Sequence, residues 1–322
     1  MPFLIIIPIA VIILIITIPA YVAYRMAFFN DPARLTDEFY GMEGEEYAPH
    51  IDRIRSQIKK LGALEYEDIY IKADDGTTLH AIYREQSPGA PLMIECHGYK
   101  GSPFRDFSEG ADFTISQGYN LLLIDQRAHG KSGGKAISFG AKEKFDCESW
   151  VKYAKERFGE GVRIVLNGIS MGAATVLLAG ALPECRNVLG IVADCPYSSA
   201  KDILKLEIER RGLPSALVYP FATIGARIFG GFDISSADVC AAIPAIPDIP
   251  ILLIHGEADS FVPSYMSEAI KECDVRGIVE YHSFPGAAHG YSFFTDTERY
   301  KSLLSEFFSR ILGKEREDKT EP

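Results

Sequence analysis

The hydrophobic pattern changes character along this chain. From Pro2 to Tyr24 no side chain is charged, and the stretch from Phe3 to Ile16 is almost purely aliphatic. About 20 such residues suffice to span a bilayer as a helix. Further on, Ile51, Ile54, Ile58 and Leu61 recur at helical spacing, which predicts an amphipathic helix over 48–61. From residue 67, short apolar runs bounded by turn residues fall at 67–72, 77–83, 92–96, 121–125, 163–167, 188–193, 251–255 and 278–284. Asp75-Gly76, between the first two, is a hairpin signal. Helical stretches fill the intervals near 104–117, 139–158, 171–182 and 264–273, and a last one lies at 296–312. This alternation predicts the α/β class, with a mostly parallel sheet covered on both faces.

The alternation breaks once, between Tyr197 and Ile249. That insertion reads as helical and is unusually apolar from Leu217 to Phe229, which makes it a candidate cap over a site. The expected organisation is an anchor at 1–24, a linker at 25–65, a catalytic domain at 66–312 with its cap at about 197–248, and a disordered charged tail at 313–322.

Within this frame one segment points to chemistry. Gly168-Ile169-Ser170-Met171-Gly172 follows an apolar run and precedes a small-residue helix. Strand, tight turn and helix are the setting of a G-x-S-x-G nucleophile elbow. An Asp at the end of a later strand and then a His follow in the chain. Composition narrows the alternatives. Lys and Arg number 33 against 44 Asp and Glu, a net charge of −11 with no basic patch, which argues against a nucleic-acid partner. The six cysteines form no C-x-x-C pair, and no H-E-x-x-H or G-x-G-x-x-G occurs, so zinc and dinucleotide chemistry lack support. Gly130-Lys131-Ser132 is not a P-loop, because Asp125 stands where its first glycine belongs. No cofactor and no metal are expected.

From about Glu67 to Leu312 the chain resembles the α/β-hydrolase fold, in the serine esterase, lipase and peptidase-like branch. The motifs that carry the resemblance lie in the family's order. The elbow falls on Ser170. The family's acid falls on Asp259, in His255-Gly-Glu-Ala-Asp259, and its base on His289, in Gly286-Ala-Ala-His289-Gly290. His97-Gly98-Tyr99-Lys100-Gly101 matches the H-G-x-x-G segment, and Asp125 to Ser132 resembles a D-x-R-G-x-G-x-S segment that departs from it at Ala128-His129. The resemblance implies an acyl-enzyme on Ser170, general base catalysis by His289 and orientation of the imidazole by Asp259. The N–H groups of Met171 and Tyr99 are the implied oxyanion donors. A serine hydroxyl is a weak nucleophile until a base takes its proton, and an imidazole titrates in the right range to do so. Asp194 competes with Asp259 for the acid, and His129 with His289 for the base, until geometry decides. His97 is read as shaping the oxyanion loop, and Asp125 as a turn residue.

The expected function is a membrane-anchored serine hydrolase of carboxylic esters. The apolar cap suggests a lipophilic, lipid-derived small-molecule substrate, with Phe221 and Phe229 as candidate substrate contacts. An aminopeptidase-like amide hydrolase is the alternative, with Glu207 and Glu209 as candidates for recognising the substrate's ammonium. A non-catalytic membrane-tethered scaffold is the reading from another class. The span contains no basic residue before Arg25 and no good cleavage site, so an uncleaved single-pass anchor is preferred to a signal peptide. Arg25 and Arg34 after the span place the catalytic domain on the cytoplasmic face. Because the span supplies no catalytic group, removing 1–27 is expected to leave an active enzyme.

Overall fold

The computed structural model describes residues 3–31 and 48–318, without the side chains of 3–10, 12 and 314–318. In chain order the elements are α1 (Phe3–Ala27), α2 (Ile51–Gly62), β1 (Glu67–Lys72), β2 (Thr78–Arg84), β3 (Leu92–Cys96), α3 (Pro103–Asp106), α4 (Gly110–Ser116), β4 (Asn120–Asp125), α5 (Glu143–Phe158), β5 (Ile164–Ile169) and α6 (Met171–Gly180). There follow β6 (Gly190–Asp194), α7 (Ala200–Arg210), α8 (Ser215–Gly225), α9 (Val239–Ala242), β7 (Ile251–Gly256), α10 (Tyr265–Glu272), β8 (Val279–Phe284), α11 (Ser292–Thr295) and α12 (Thr297–Asp318).

The strands form one eight-stranded sheet in the order β1-β2-β4-β3-β5-β6-β7-β8. β2 runs antiparallel to β1 and β4, and the remaining neighbours are parallel. The central strands β3, β6 and β7 are buried along their whole length, as a sheet covered on both faces requires. One core face holds Trp150, Leu166, Val176 and Ile191, and the other holds Phe107, Tyr119, Phe284 and Phe307.

Three helices depart from the sequence reading for local reasons. The stretch at 104–117 is two short helices, the first capped by the Ser102 side chain. The stretch at 139–158 becomes helical only at Glu143, because Phe139 and Gly140 take positive φ and the Glu143 carboxylate accepts the N–H groups of Ser138 and Gly140 instead. The tail is helical through Asp318 rather than disordered from Gly313. A single glycine costs a helix only about 1 kcal/mol, and the Lys, Glu and Arg that follow favour helix. Residues 319–322 lie outside the described residues, as does the middle of the 25–65 linker, from 32 to 47.

The amphipathic helix α2 packs on the domain. Ile54, Ile58 and Leu61 are buried, and Tyr291 joins the cluster around the first two. Two of its cations pair with the helix beyond: Arg53 with Glu109, and Lys60 with Asp112.

α1 holds the largest surprise of the fold. Its buried stripe, Ala20, Tyr24 and then Phe28, belongs to the domain. A Cβ on Gly225 of α8 would collide with the Ala20 carbonyl, so glycine is what lets the two helices approach. The chain beyond α1 is stitched in by Ile137 N–H to Phe28 O (2.8 Å), Asn30 N–H to Lys135 O (3.0 Å) and Asn30 Nδ2 to Ala128 O (2.7 Å). Among the described residues no helix is long and apolar enough to cross a membrane.

Candidate active site

Ser170 sits between β5 and α6 with φ 57° and ψ −116°. Positive φ strains a residue that carries a Cβ. The strain is held by close packing on either side. A Cβ at Gly168 would strike the Gly172 carbonyl, and one at Gly172 would strike the Cys96 carbonyl. Ser170 N–H donates to Asp194 O at 2.8 Å, which ties the turn to the end of β6.

The structure brings Ser170, Asp259 and His289 together. His289 Nε2 lies 2.9 Å from Ser170 Oγ, and His289 Nδ1 lies 2.6 Å from Asp259 Oδ2. The other carboxylate oxygen of Asp259 accepts the N–H groups of Phe261 (2.8 Å) and Val262 (2.7 Å). Burial pushes the Asp259 carboxyl up, but the His289 charge and the hydrogen bonds of His255 and His289 outweigh it and hold the group well below the usual carboxylate range. An ionised acid at Nδ1 fixes the tautomer that leaves Nε2 free to accept the serine proton.

Asp194, the competing acid, is committed elsewhere. Its Oδ2 accepts the Tyr300 hydroxyl at 3.0 Å, and burial raises its carboxyl to about 6. His129, the competing base, accepts Lys100 N–H at Nε2 (3.0 Å) while its Nδ1 is held by Arg127 O (2.8 Å). His97 repeats this arrangement, with Gln126 N–H at Nε2 (3.1 Å) and Gly98 O at Nδ1 (2.8 Å). The two rings meet edge to face at 4.7 Å, and burial lowers both imidazoles, His129 to about 3. Two neutral histidines thus pin the 97–101 loop that runs past Ser170. A Cβ at Gly98 would lie 3.4 Å from Ser170 Cβ. Asp106 anchors the same loop by accepting Gly98 N–H at 2.7 Å.

Met171 is the first residue of α6, so its N–H emerges at the open N-terminal end of the helix beside Ser170. The Tyr99 side chain points away from the triad. Its ring stacks on Phe139 at 5.2 Å and its hydroxyl donates to Ala27 O at 3.1 Å. Phe229 is turned toward α1, with its ring 5.1 Å from Tyr21 and 5.9 Å from Tyr24, and Phe221 lies half-buried on α8. A ring that does pack on His289 is that of Phe261, at 5.1 Å. The sequence signal for it was its place two residues after the acid. Phe261 O in turn accepts the cap residue Arg210 at 2.5 Å.

Cys195, Asp259 and His289 place ligating atoms within 4.8 Å of one another. Burial pushes the Cys195 thiol well above its ordinary value, so it stays protonated, and the other two side chains already bind each other. The set does not fit a metal.

Comparison with known proteins places the chain among hydrolases. Residues 87–219 match the family model for serine aminopeptidases of the S33 type. Protein YqkD of Bacillus subtilis is 31% identical over 223 residues, covering 68% of this chain and 71% of its own. Protein bem46 of Schizosaccharomyces pombe is 23% identical over 250 residues, 76% of this chain and 77% of its own. Among solved structures, the Pyrococcus furiosus esterase Pf2001 superposes with a TM-score of 0.63 at 28% identity, covering 78% of this chain and 93% of that one. The chain belongs to the α/β-hydrolase superfamily, and it is a hydrolase.

Proposed function

We propose that this protein is a membrane-associated serine hydrolase that cleaves lipophilic carboxylic esters through an acyl-enzyme. The observation that carries the reading is the continuous Ser170–His289–Asp259 relay at a strained elbow. Ser170 Oγ attacks the ester carbonyl as His289 takes its proton. The N–H groups of Met171 and Tyr99 receive the oxyanion, the tetrahedral intermediate collapses, and His289 protonates the leaving alcohol. Water then repeats the sequence and frees the acid.

The likeness to a Pyrococcus furiosus esterase supports an ester over an amide. So does the pairing of the acids that an aminopeptidase would need. Glu207 Oε1 is bound by Arg210 at 2.7 Å, and Glu209 accepts the Ser215 hydroxyl. The family model's aminopeptidase description and a cleft of about 360 Å³ lined by Asp202, Lys205, Glu209 and Tyr265 favour the second reading, amide hydrolysis. Lys205 in the same cleft works against an ammonium ligand. Membrane association rests on the uncharged run from Pro2 to Tyr24, and Arg25 and Arg34 favour a cytoplasmic catalytic domain.

The test is a panel of p-nitrophenyl esters from acetate to palmitate, with aminoacyl-anilides alongside, on the full chain. The ester reading expects kcat/KM to rise with acyl length. A flat ester profile with faster anilide cleavage would replace it with the peptidase reading.

A further inference from the structure

Two neighbouring helices of this protein carry almost no charge. None occurs from Pro2 to Tyr24 in and around α1, nor from Leu213 to Ala226 in and around α8. They pack on each other through Ala20 and Gly225, and continue in contact through Tyr21, Tyr24 and Phe229. What they leave uncovered is mainly apolar, and the exposed Arg227 in the turn after α8 is paired with Asp233 at 2.8 Å. On the cap, Leu217 is 63% exposed and Ile228 58%. On α1, Ile13, Leu14, Ile15 and Ile16 are 53, 53, 62 and 39% exposed.

Those last four positions decide what covers the surface. Successive helical residues point about 100° apart, so four in a row face every side of α1. Burial resumes as a stripe only from Ala20. A second protein would cover one side of such a helix, whereas a helix apolar all round suits an apolar solvent. Exposed Leu217 and Ile228 stand on the helix and turn that α1 packs against, so whatever surrounds α1 reaches the cap.

We infer that α1 and the cap helix α8 form one lipid-docking surface, and that the cap itself sits in the outer hydrocarbon of a bilayer. This rests on the reading that the protein is membrane-associated, and adds that the cap, not α1 alone, enters the lipid. The occupant is the acyl-chain region of a bilayer rather than a charged headgroup surface. Interfacial helices bury their apolar face about 5–10 Å deep, and Leu217 is the exposed apolar side chain that α8 offers to that layer. Such docking would set the cap where lipophilic esters are dissolved.

The experiment uses the full chain and phosphatidylcholine vesicles whose acyl chains carry bromine, a contact quencher of tryptophan. The one native tryptophan, Trp150, is fully buried in the core and serves as internal background. Leu217→Trp places a reporter on the cap, and Glu160→Trp places one in the exposed turn before β5, at the end of that strand away from Ser170. The expected result is flotation with the vesicles, loss of the added emission in Leu217→Trp, and none in Glu160→Trp. Flotation with both reporters unquenched would overturn the inference and leave α1 as the sole anchor. Absence of flotation would remove the membrane reading itself. A Leu217→Trp emission that is blue-shifted without lipid, in a chain that sediments as a dimer, would assign the surface to a second copy and overturn the inference.

Discussion

The Tyr99 hydroxyl donates a hydrogen bond to the carbonyl of Ala27, 3.1 Å away, and joins the loop beside Ser170 to the end of the N-terminal helix. Around this bond Phe28 packs edge-on against Phe139 (5.8 Å) and Phe232 (5.3 Å), and Phe139 stacks on Tyr99. The N-terminal helix is therefore part of the hydrolase domain's packing, so removing 1–27, expected from the sequence to leave an active enzyme, has a structural cost that the sequence did not show. Deleting 1–27 exposes Gly225 and the α8 face and leaves Tyr99 without its acceptor. The truncated chain is expected to lose stability and kcat together. Phe28→Ala should cost about 3–5 kcal/mol in urea unfolding. Tyr99→Phe should cost only about 1 kcal/mol, because the ring stays. A truncation with wild-type kcat and unfolding midpoint would refute the coupling.

For the nucleophile, Ser170→Ala should abolish ester hydrolysis and labelling by a fluorophosphonate probe while leaving circular dichroism unchanged. His289→Ala should lower the rate about as far, because such groups act as a unit. Labelling of Ser170→Ala at the wild-type level would move the nucleophile elsewhere.

The two acids separate by their bonds. Asp259→Asn reverses the donor at His289 Nδ1 and should lower kcat about 10⁴-fold, the scale of a comparable change in a serine protease. Asp194→Asn keeps an acceptor for Tyr300 and should change kcat far less. Steady-state kinetics of the two variants decide it, and the opposite ranking would make Asp194 the acid.

Glu95 supplies a pH dependence of stability. It lies fully buried in β3 opposite Asn167 of β5, and burial raises its carboxyl from 4.5 to about 8. Between those values the folded state holds a proton that the unfolded state has lost, so stability falls as pH rises. Glu95→Gln removes that titration. Its unfolding free energy relative to wild type should climb with pH across this window, by at most about 1.4 kcal/mol per unit. Parallel curves in urea titrations from pH 5 to 8 would show that Glu95 does not titrate there.

Ala128 adopts φ 61°, at the point where the chain departs from the family's glycine. The left-handed region costs an alanine about 1–2 kcal/mol, and glycine's extra chain entropy returns roughly half of that. Ala128→Gly should therefore stabilise by about 0.5–1 kcal/mol with no change in kcat, measured by thermal unfolding and the ester assay. A lower midpoint would show that the methyl group's packing outweighs the strain.

Much of this protein was legible in the chain. Strand and helix alternation is a local consequence of burying a sheet on both faces, so the runs at 92–96 and 251–255 coincide with β3 and with most of β7. The glycines around Ser170 are local too, because only glycine tolerates those close approaches. What lay outside the chain's reach were relations between distant segments. The pairing of Asp194 with Tyr300 and of Asp259 with His289 depends on which loops converge at the strand ends, and no spacing along the chain encodes it. The N-terminal helix shows the limit most clearly. Its aliphatic run reads alike whether lipid or protein covers it, since hydrophobicity has no direction. Only the tertiary fold decides that Ala20, Tyr24 and Phe28 face the domain while Ile13 to Ile16 do not.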